Sequence, residues 1–274
     1  MQLNPTTPVG AVVTDLDLAD VTPASAEEVK DLLAEHGVLV FPGQEVDDAA
    51  FLEFLRCFGD LAFTVGETPV DGFPDLNVIS NVGRTTPPRS QFHVDSSYMR
   101  VPPAYTALRT VEIPAQGGET LFTNQYAAFE ALPDDLVERL DGRTVTHVVT
   151  GLDLDEDEET QAEHPLFRPH PRSGRTALYL STPARCVAIS GMDDDEAAST
   201  IATLLEHSTR PENTLRHAWA PGDVVMWDNG AVLHRADHSD VVGDRVMHRG
   251  MVSGAAASGA DTGVAHPGSD HPGW

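Results

Sequence analysis

Residues 220–234 read Ala-Pro-Gly-Asp-Val-Val-Met-Trp-Asp-Asn-Gly-Ala-Val-Leu-His. The segment opens with a proline–glycine turn signal, continues as a short apolar run, and meets a second turn signal at Asn229-Gly230. An apolar run that turn signals bound on both sides is typical of a buried β-strand. The segment therefore predicts a buried strand that ends in a loop, with His234 just beyond that loop.

Further short runs of this kind occur along the chain. They predict strands at 76–79, 105–113, 120–123, 144–150, 177–180, 186–189, 224–227 and 246–252. Helical spacing of apolar residues predicts helices at 25–36, 47–57, 125–132, 133–140 and 193–207, the first opening on a capping-box pattern at Ser25. The strands and helices do not alternate as they do in a parallel sheet. The sequence thus predicts a mixed α/β protein that is mainly β, folded as one domain over residues 1–274.

A candidate metal site is formed by His93, Asp95 and His234. On an extended strand, residues two apart share a face, so His93 and Asp95 would offer one imidazole and one carboxylate to the same ion. With His234 added, two nitrogens and one oxygen would hold one side of the metal, as in non-haem Fe(II) sites. Alone, a His-x-Asp pair is more often a surface hydrogen bond than a ligand pair.

Two arginines and a glycine turn strengthen the metal-site hypothesis. Arg245 and Arg249 would share one face of the strand predicted at 246–252. If both point into the interior they need anions, because an unpaired buried guanidinium is costly. The pair Gly117-Gly118 leads into a strand that begins near Thr120, whose hydroxyl could assist an arginine in binding a carboxylate.

In this order and spacing, these segments resemble a known family, the iron- and 2-oxoglutarate-dependent dioxygenases of the taurine dioxygenase and 2,4-dichlorophenoxyacetate dioxygenase (TauD/TfdA) type. Residues 37–42 resemble its first core strand, and residues 58–61 resemble the end of its early helix. The resemblance covers nearly the whole chain. It implies a double-stranded β-helix, or jelly roll, flanked by helices.

The resemblance also implies roles for individual residues. Fe(II) would be held by His93, Asp95 and His234, which are then also the catalytic residues. Arg245 would bind the distal carboxylate of 2-oxoglutarate with help from Thr120. Arg249 would contact the anionic group of the prime substrate, with Tyr98 and Phe122 as pocket residues or simply core residues.

The reaction that the resemblance implies consumes 2-oxoglutarate and O2 and releases succinate and CO2. The carboxylate of Asp95 favours hydroxylation, because halogenating relatives replace it with a small residue. The substrate would be a small organic anion such as a sulfonate, a sulfate or a carboxylate. The taurine enzyme has a histidine shortly after the segment that matches Gly59-Asp60-Leu61, whereas this chain reads Ala-Phe-Thr-Val at residues 62–65. This difference predicts a substrate other than taurine.

Two other functions remain open from the residues alone. A metal-dependent hydrolase can use two histidines and a carboxylate, with water as the nucleophile. A non-catalytic sensor could bind 2-oxoglutarate on the same scaffold. The hydrolase does not account for Arg245 and Thr120, and the sensor does not account for a complete triad.

Composition narrows the range of partners. The net charge of −26 predicts a surface that repels nucleic acids and anionic membranes. This acidity has two interpretations, an adaptation to high salt and, for the run at 153–159, a solvated loop. The chain opens without signal-peptide features and has only two cysteines, which predicts a cytoplasmic protein. A homo-oligomer is left open.

Two segments are expected to be mobile. Residues 63–89 are rich in glycine and proline and are predicted to form a lid over the site. The tail from about residue 254 is rich in glycine, alanine and serine and is predicted to be loose.

Overall fold

The computed structural model describes residues 1–64, 66–83, 91–152, 154 and 158–254. In these residues the helices are α1 (Pro23–His36), α2 (Asp48–Arg56), α3 (Gln125–Glu130), α4 (Asp134–Leu140) and α5 (Asp194–Ser208). The strands are β1 (Gln2–Pro5), β2 (Ala11–Thr14), β3 (Val38–Phe41), β4 (Leu61–Ala62), β5 (Pro69–Val70), β6 (Phe73–Ser80), β7 (Tyr105–Glu112), β8 (Thr120–Asn124), β9 (Thr144–Val148), β10 (Gln161–Pro165), β11 (Phe167–Pro169), β12 (Thr176–Leu178), β13 (Cys186–Ile189), β14 (Thr214–His217), β15 (Val224–Asp228), β16 (Val232–Ala236) and β17 (Val246–Val252).

A large sheet forms one wall of the molecule. Its strand order is β1-β2-β3-β15-β7-β17-β6-β5, and β4 also pairs with β17. Helices α1 and α2 cover its outer face, where residues such as Leu33, Phe54 and Leu76 form a buried apolar cluster. Burial of this face holds the helices on the sheet.

A smaller sheet of strand order β14-β8-β16 lies opposite the inner face of the large sheet. Phe122 of β8 and Val232 of β16 share one buried cluster with Val225, Trp227 and Met247 of the large sheet. The two sheets therefore enclose a common core, as in a jelly roll. A further lobe, built from β9 to β13 and α5, packs around its own apolar cluster.

The predicted fold class is confirmed, and the predicted strands and helices appear with shifts of a few residues at their ends. The start of the first helix was wrong. The helix begins at Pro23 rather than Ser25, because the Thr22 side chain caps it and Ser25 is the partner in that capping box. No helix in the described ranges is long and apolar enough to cross a membrane.

The segment predicted as a lid lies only partly within the described residues. Residues 65 and 84–89 fall outside them, and β5 and β6 form an antiparallel pair at the edge of the large sheet. That part of the segment is thus an element of the sheet, and its mobility stays a prediction. The predicted loose tail lies outside the described residues beyond Gly254.

Candidate active site

The two histidines of the predicted triad are neighbours across a β-bridge. The backbone of His93 pairs with that of His234 on β16 through two N–H···O bonds, each 3.0 Å long. Directly paired residues point to the same face of a sheet. Their imidazole rings accordingly lie side by side, with centroids 4.3 Å apart. His234 is within β16 and is fixed on its other side by β8.

Asp95 completes the cluster from the turn that follows His93. Its Oδ1 lies 3.7 Å from His93 Nε2, and its Oδ2 lies 3.7 Å from His234 Nε2. The three candidate ligand atoms are all within 4.8 Å of one another. Within the described residues this is the one group of three or more histidine, cysteine or acidic side chains arranged in this way. One ion could therefore contact all three side chains.

The Asp95 carboxylate is held in place by hydrogen bonds from the large sheet. Thr106 Oγ1 donates to Asp95 Oδ2 at 2.8 Å, and Asn229 Nδ2 donates to Thr106 Oγ1 at 2.9 Å. Trp227 Nε1 in turn donates to Asn229 Oδ1 at 3.2 Å. Thr106 and Asn229 are buried polar residues whose contact with the site the sequence analysis did not predict. The one signal available in the sequence was a threonine, Thr106, within an otherwise apolar part of a strand.

Electrostatics of the cluster suit a divalent cation. Burial opposes ionisation of Asp95, but His234, His93 and Arg249 outweigh it and hold the pKa of Asp95 well below its usual range. Burial lowers the pKa of His234 to about 3, although Asp95 acts in the opposite direction. The triad therefore offers an ionised carboxylate and a neutral His234 at neutral pH, which are the protonation states that a metal ion needs.

Replacing Thr106 with valine is expected to weaken Fe(II) binding by about tenfold. The substitution keeps the shape of the side chain but removes the donor that orients the Asp95 carboxylate. Anaerobic calorimetric titration with Fe(II) would measure the change. Thr110→Val on the same strand is the control, since Thr110 bonds the backbone of Gly222 and not the triad. Equal affinities in the Thr106 variant and the wild type would contradict this role.

Arg245 is a buried cation without an ionic partner among the described residues. It is 1% exposed, and its Nε donates to the backbone oxygen of Gly118 at 2.8 Å. None of the ion pairs in the described part of the chain includes it, and burial alone lowers its pKa to about 10. The two NH2 groups at the end of its guanidinium are thus undersatisfied among the described residues, apart from a 3.4 Å contact from Nη2 to Thr120 Oγ1. Such a group requires an anion.

Thr120 lies beside Arg245 with its hydroxyl proton free for a ligand. Its Oγ1 accepts from Trp219 Nε1 at 3.1 Å as well as from Arg245. Because both contacts use the oxygen as acceptor, the O–H can still donate. Trp219 was not predicted as a site residue, and its indole also lies 5.9 Å from the Arg245 guanidinium carbon. Gly118 leaves room for this arginine, since a Cβ there would lie 3.0 Å from Arg245 Cδ.

The remaining predicted site residues lie at different distances from the triad. Arg249 Nη1 is 3.5 Å from Asp95 Oδ1, so this arginine borders the triad directly. Phe122 is fully buried, and its ring centroid is 6.4 Å from that of His234, which it supports from within the core. Tyr98 is buried close to Ser96 in the turn after Asp95. Contact of Phe122 and Tyr98 with a substrate stays a prediction.

Fe(II) and 2-oxoglutarate fit these residues. Two imidazoles and one carboxylate on one side of an ion are the donor set of non-haem Fe(II) oxygenases, whose other positions stay open. The undersatisfied guanidinium of Arg245 needs the negative charge that a dicarboxylate brings. A jelly roll with such a centre defines the class of non-haem iron oxygenases.

The chain belongs to the TauD/TfdA family: the family model "Taurine catabolism dioxygenase TauD, TfdA family" matches residues 2–251. The chain is accordingly a 2-oxoglutarate-dependent dioxygenase, and members of this family use Fe(II), 2-oxoglutarate and O2. The predicted family, enzyme class and cofactors are confirmed.

Three relatives illustrate the similarity. The α-ketoglutarate-dependent 2,4-dichlorophenoxyacetate dioxygenase of Cupriavidus pinatubonensis is 32% identical, and the match covers 90% of this chain and 95% of that protein. The α-ketoglutarate-dependent sulfate ester dioxygenase of Pseudomonas putida is 30% identical, with 92% and 89% covered. The crystal structure of a taurine dioxygenase from Burkholderia xenovorans superposes with a TM-score of 0.80 at 32% identity, over 93% of this chain and 91% of that one.

Proposed function

We propose that this dioxygenase hydroxylates a small organic anion at a centre in which His93, Asp95 and His234 hold Fe(II). In this proposal Arg245 and Thr120 bind the distal carboxylate of 2-oxoglutarate. The observation that carries the proposal is a His-Asp-His cluster together with Arg245, a buried guanidinium without an ionic partner among the described residues. Arg245 contacts Thr120 on β8, the strand that pairs with the strand of His234. A dicarboxylate would supply the negative charge that the guanidinium needs.

The residues of the chain bind and orient the reactants. With O2 present, iron and 2-oxoglutarate together supply an oxidant that can insert oxygen into a C–H bond, with release of succinate and CO2. Asp95 contributes the negative charge of the triad, and Thr106 keeps its carboxylate oriented. Arg245 and Thr120 fix one end of the keto acid, which limits its rotation at the metal. The enclosed apolar core around His234 excludes water from this side of the centre.

Arg249 supports an anionic substrate. It is half-buried and lies next to the triad. Its Nη1 faces Asp95 and its Nη2 faces Asn77, so its donors point in more than one direction. The relatives named after 2,4-dichlorophenoxyacetate and sulfate esters act on substrates with a negatively charged group. We therefore propose a carboxylate, sulfate or sulfonate as the substrate class. The absence of histidine from residues 62–65 supports a substrate other than taurine.

The two alternative functions account for less of the site. A hydrolase would require the metal cluster, but its reaction would not require the buried guanidinium of Arg245 with the Thr120 hydroxyl beside it. A sensor needs Arg245 and Thr120 but not a complete triad of redox-metal ligands. Both alternatives also lack support from the relatives, all three of which are named as dioxygenases.

We also propose that the partners are limited to small molecules and further copies of the chain. The net charge of −26 disfavours nucleic acids and anionic membranes. A cytoplasmic location stays a prediction of the sequence, and the oligomeric state stays open. Light scattering on the purified protein would measure the oligomeric state.

Anaerobic addition of 2-oxoglutarate to the Fe(II)-loaded protein tests the function. We expect the weak visible charge-transfer band of an iron-bound keto acid, followed by succinate release when O2 and a suitable anion are added. Phenoxyacetate, hexyl sulfate and butanesulfonate represent the three substrate classes. Taurine tests the prediction that taurine is not a substrate. Iron bound without any band would overturn the keto-acid site.

A further inference from the structure

Asn77 is a fully buried polar residue next to Arg249. It is 0% exposed and lies directly opposite Arg249 in the antiparallel pairing of β6 with β17. Paired residues share a face, and the neighbouring pair Ile79–Met247 packs into the cluster between the two sheets. Asn77 therefore points to the inner side of the jelly roll, as Arg249 does.

The amide of Asn77 is only half satisfied. Its Oδ1 faces Arg249 Nε at 3.4 Å and Arg249 Nη2 at 3.3 Å. This fixes the orientation of the amide, because an amide nitrogen cannot accept from a guanidinium. Its Nδ2 is buried and has no hydrogen-bond partner among the residues that the structure describes. A buried unsatisfied donor is costly and calls for an acceptor from a ligand.

In the described part of the chain, the side chain of Arg249 has only long contacts. Besides Asn77, it faces Asp95 Oδ1 at 3.5 Å and Glu67 Oε1 at 3.6 Å. Glu67 lies just before β5, within the segment predicted as a lid, and its side chain is 35% exposed. Among the described residues, Glu67 is the one acidic partner of this arginine that is not a candidate metal ligand. It therefore stands where an incoming anion would have to bind.

We propose that Asn77 is a specificity residue in the subsite where Arg249 meets the anionic group of the prime substrate, that its Nδ2 donates to this group, and that the group displaces Glu67 from Arg249. Arg249 supplies the charge and Asn77 Nδ2 supplies a directed donor, so that one bound anion satisfies both. The inference rests on the proposed function, which places the substrate beside the triad. Sequence reasoning could not find Asn77, since an asparagine inside a short strand carries no motif.

The subsite predicts opposite effects for two conservative substitutions. Asn77→Asp replaces the free donor with a carboxylate that would saturate Arg249, so anion affinity is expected to fall at least about 30-fold. Glu67→Gln removes the competing charge, so anion affinity is expected to rise severalfold. A merely structural role would not give changes of opposite sign. Asn4→Asp, the same change on the exposed strand β1, is the matched control.

The test uses protein loaded anaerobically with Fe(II) and 2-oxoglutarate. Calorimetry measures the dissociation constants of phenoxyacetate, hexyl sulfate and butanesulfonate, with uncharged phenoxyethanol as a neutral probe. The charge-transfer band is recorded on the same samples. We expect at least one anion to bind more tightly than phenoxyethanol, with the order Glu67→Gln, wild type, Asn77→Asp from tightest to weakest.

Three results would contradict the proposals, and they are distinguishable. If the band is present but no anion binds more tightly than phenoxyethanol, the subsite is wrong. If Asn77→Asp keeps both the band and wild-type anion affinity, Asn77 has no part in recognition. If the wild type lacks the band, the proposed keto-acid site fails, and the subsite fails with it.

Discussion

Replacing Asp95 with alanine is expected to lower Fe(II) affinity at least about 100-fold and to abolish succinate formation from 2-oxoglutarate. The carboxylate is 4% exposed and lies 3.7 Å from the Nε2 atoms of both histidines. It is the only negative charge among the three ligands. Without it, the two imidazoles would remain next to the positive charge of Arg249. The site would lose the negative charge that attracts a metal cation.

A matched control is available on the other face of the same sheet. Asp48 is also partly buried between an arginine and a histidine, with Oδ1 2.7 Å from Arg109 Nη2 and 2.6 Å from His248 Nδ1. His248 and Arg249 are adjacent on β17, so their side chains point to opposite faces. Asp48→Ala should therefore reduce the free energy of unfolding but leave Fe(II) affinity unchanged. Asp95→Ala should lower Fe(II) affinity, whatever its effect on the free energy of unfolding.

Anaerobic calorimetry with Fe(II) and succinate detection after admission of O2 measure both effects. Asp95→Asn keeps the shape of the side chain without its charge, and its Fe(II) affinity should be close to that of Asp95→Ala. If Asp95→Ala binds Fe(II) within threefold of the wild type, Asp95 is not a ligand. The cluster would then have to be interpreted as a hydrogen-bonded group.

The sequence predicted the triad because each ligand lies in a local pattern that a single segment can show. His93 and Asp95 are close in sequence, and His234 follows a recognisable strand and turn. Their convergence depends on the bridge between His93 and β16, which no local pattern encodes. It was predictable only through resemblance to a family.

The residues that the sequence did not reveal act through long-range pairing. Asn77 meets Arg249 because β6 pairs with β17, and Asn229 reaches Asp95 through Thr106 on a third strand. Register between distant strands is set by the packing of the whole sheet rather than by the residues concerned. Such residues can be assigned only once the sheet order is known.

Replacing Arg245 with methionine is expected to raise the dissociation constant of 2-oxoglutarate at least about 100-fold without reducing the stability of the protein. Methionine fills a similar volume but offers no charge to the distal carboxylate. Thr120→Val should give a smaller loss of about tenfold, because it removes one hydrogen bond to a charged group. Titration of the charge-transfer band gives both constants.

The stability of the ligand-free variant separates binding from folding. Burial lowers the pKa of Arg245 to about 10, which means that the charged guanidinium is penalised by roughly 3 kcal/mol at neutral pH. The penalty is greatest below pH 10 and fades as the pH rises above it, since the unfolded chain binds the proton more tightly. In Arg245→Met, loss of the hydrogen bonds to Gly118 and Thr120 offsets part of the stability that is gained when the buried charge is removed. We expect Arg245→Met to unfold at a urea concentration equal to or higher than that of the wild type. Its free energy of unfolding should be higher by up to about 2 kcal/mol.

Arg109→Met provides the opposite case on the same sheet. Arg109 is paired with Asp48, so its removal leaves a partly buried carboxylate without its arginine partner and should destabilise the protein while 2-oxoglutarate still binds. If Arg245→Met were instead destabilised like Arg109→Met, Arg245 would have a partner in the folded chain and its charge would be structural. A stable Arg245 variant that has lost 2-oxoglutarate binding would mean that the protein tolerates an unpaired buried cation because its partner is the cosubstrate.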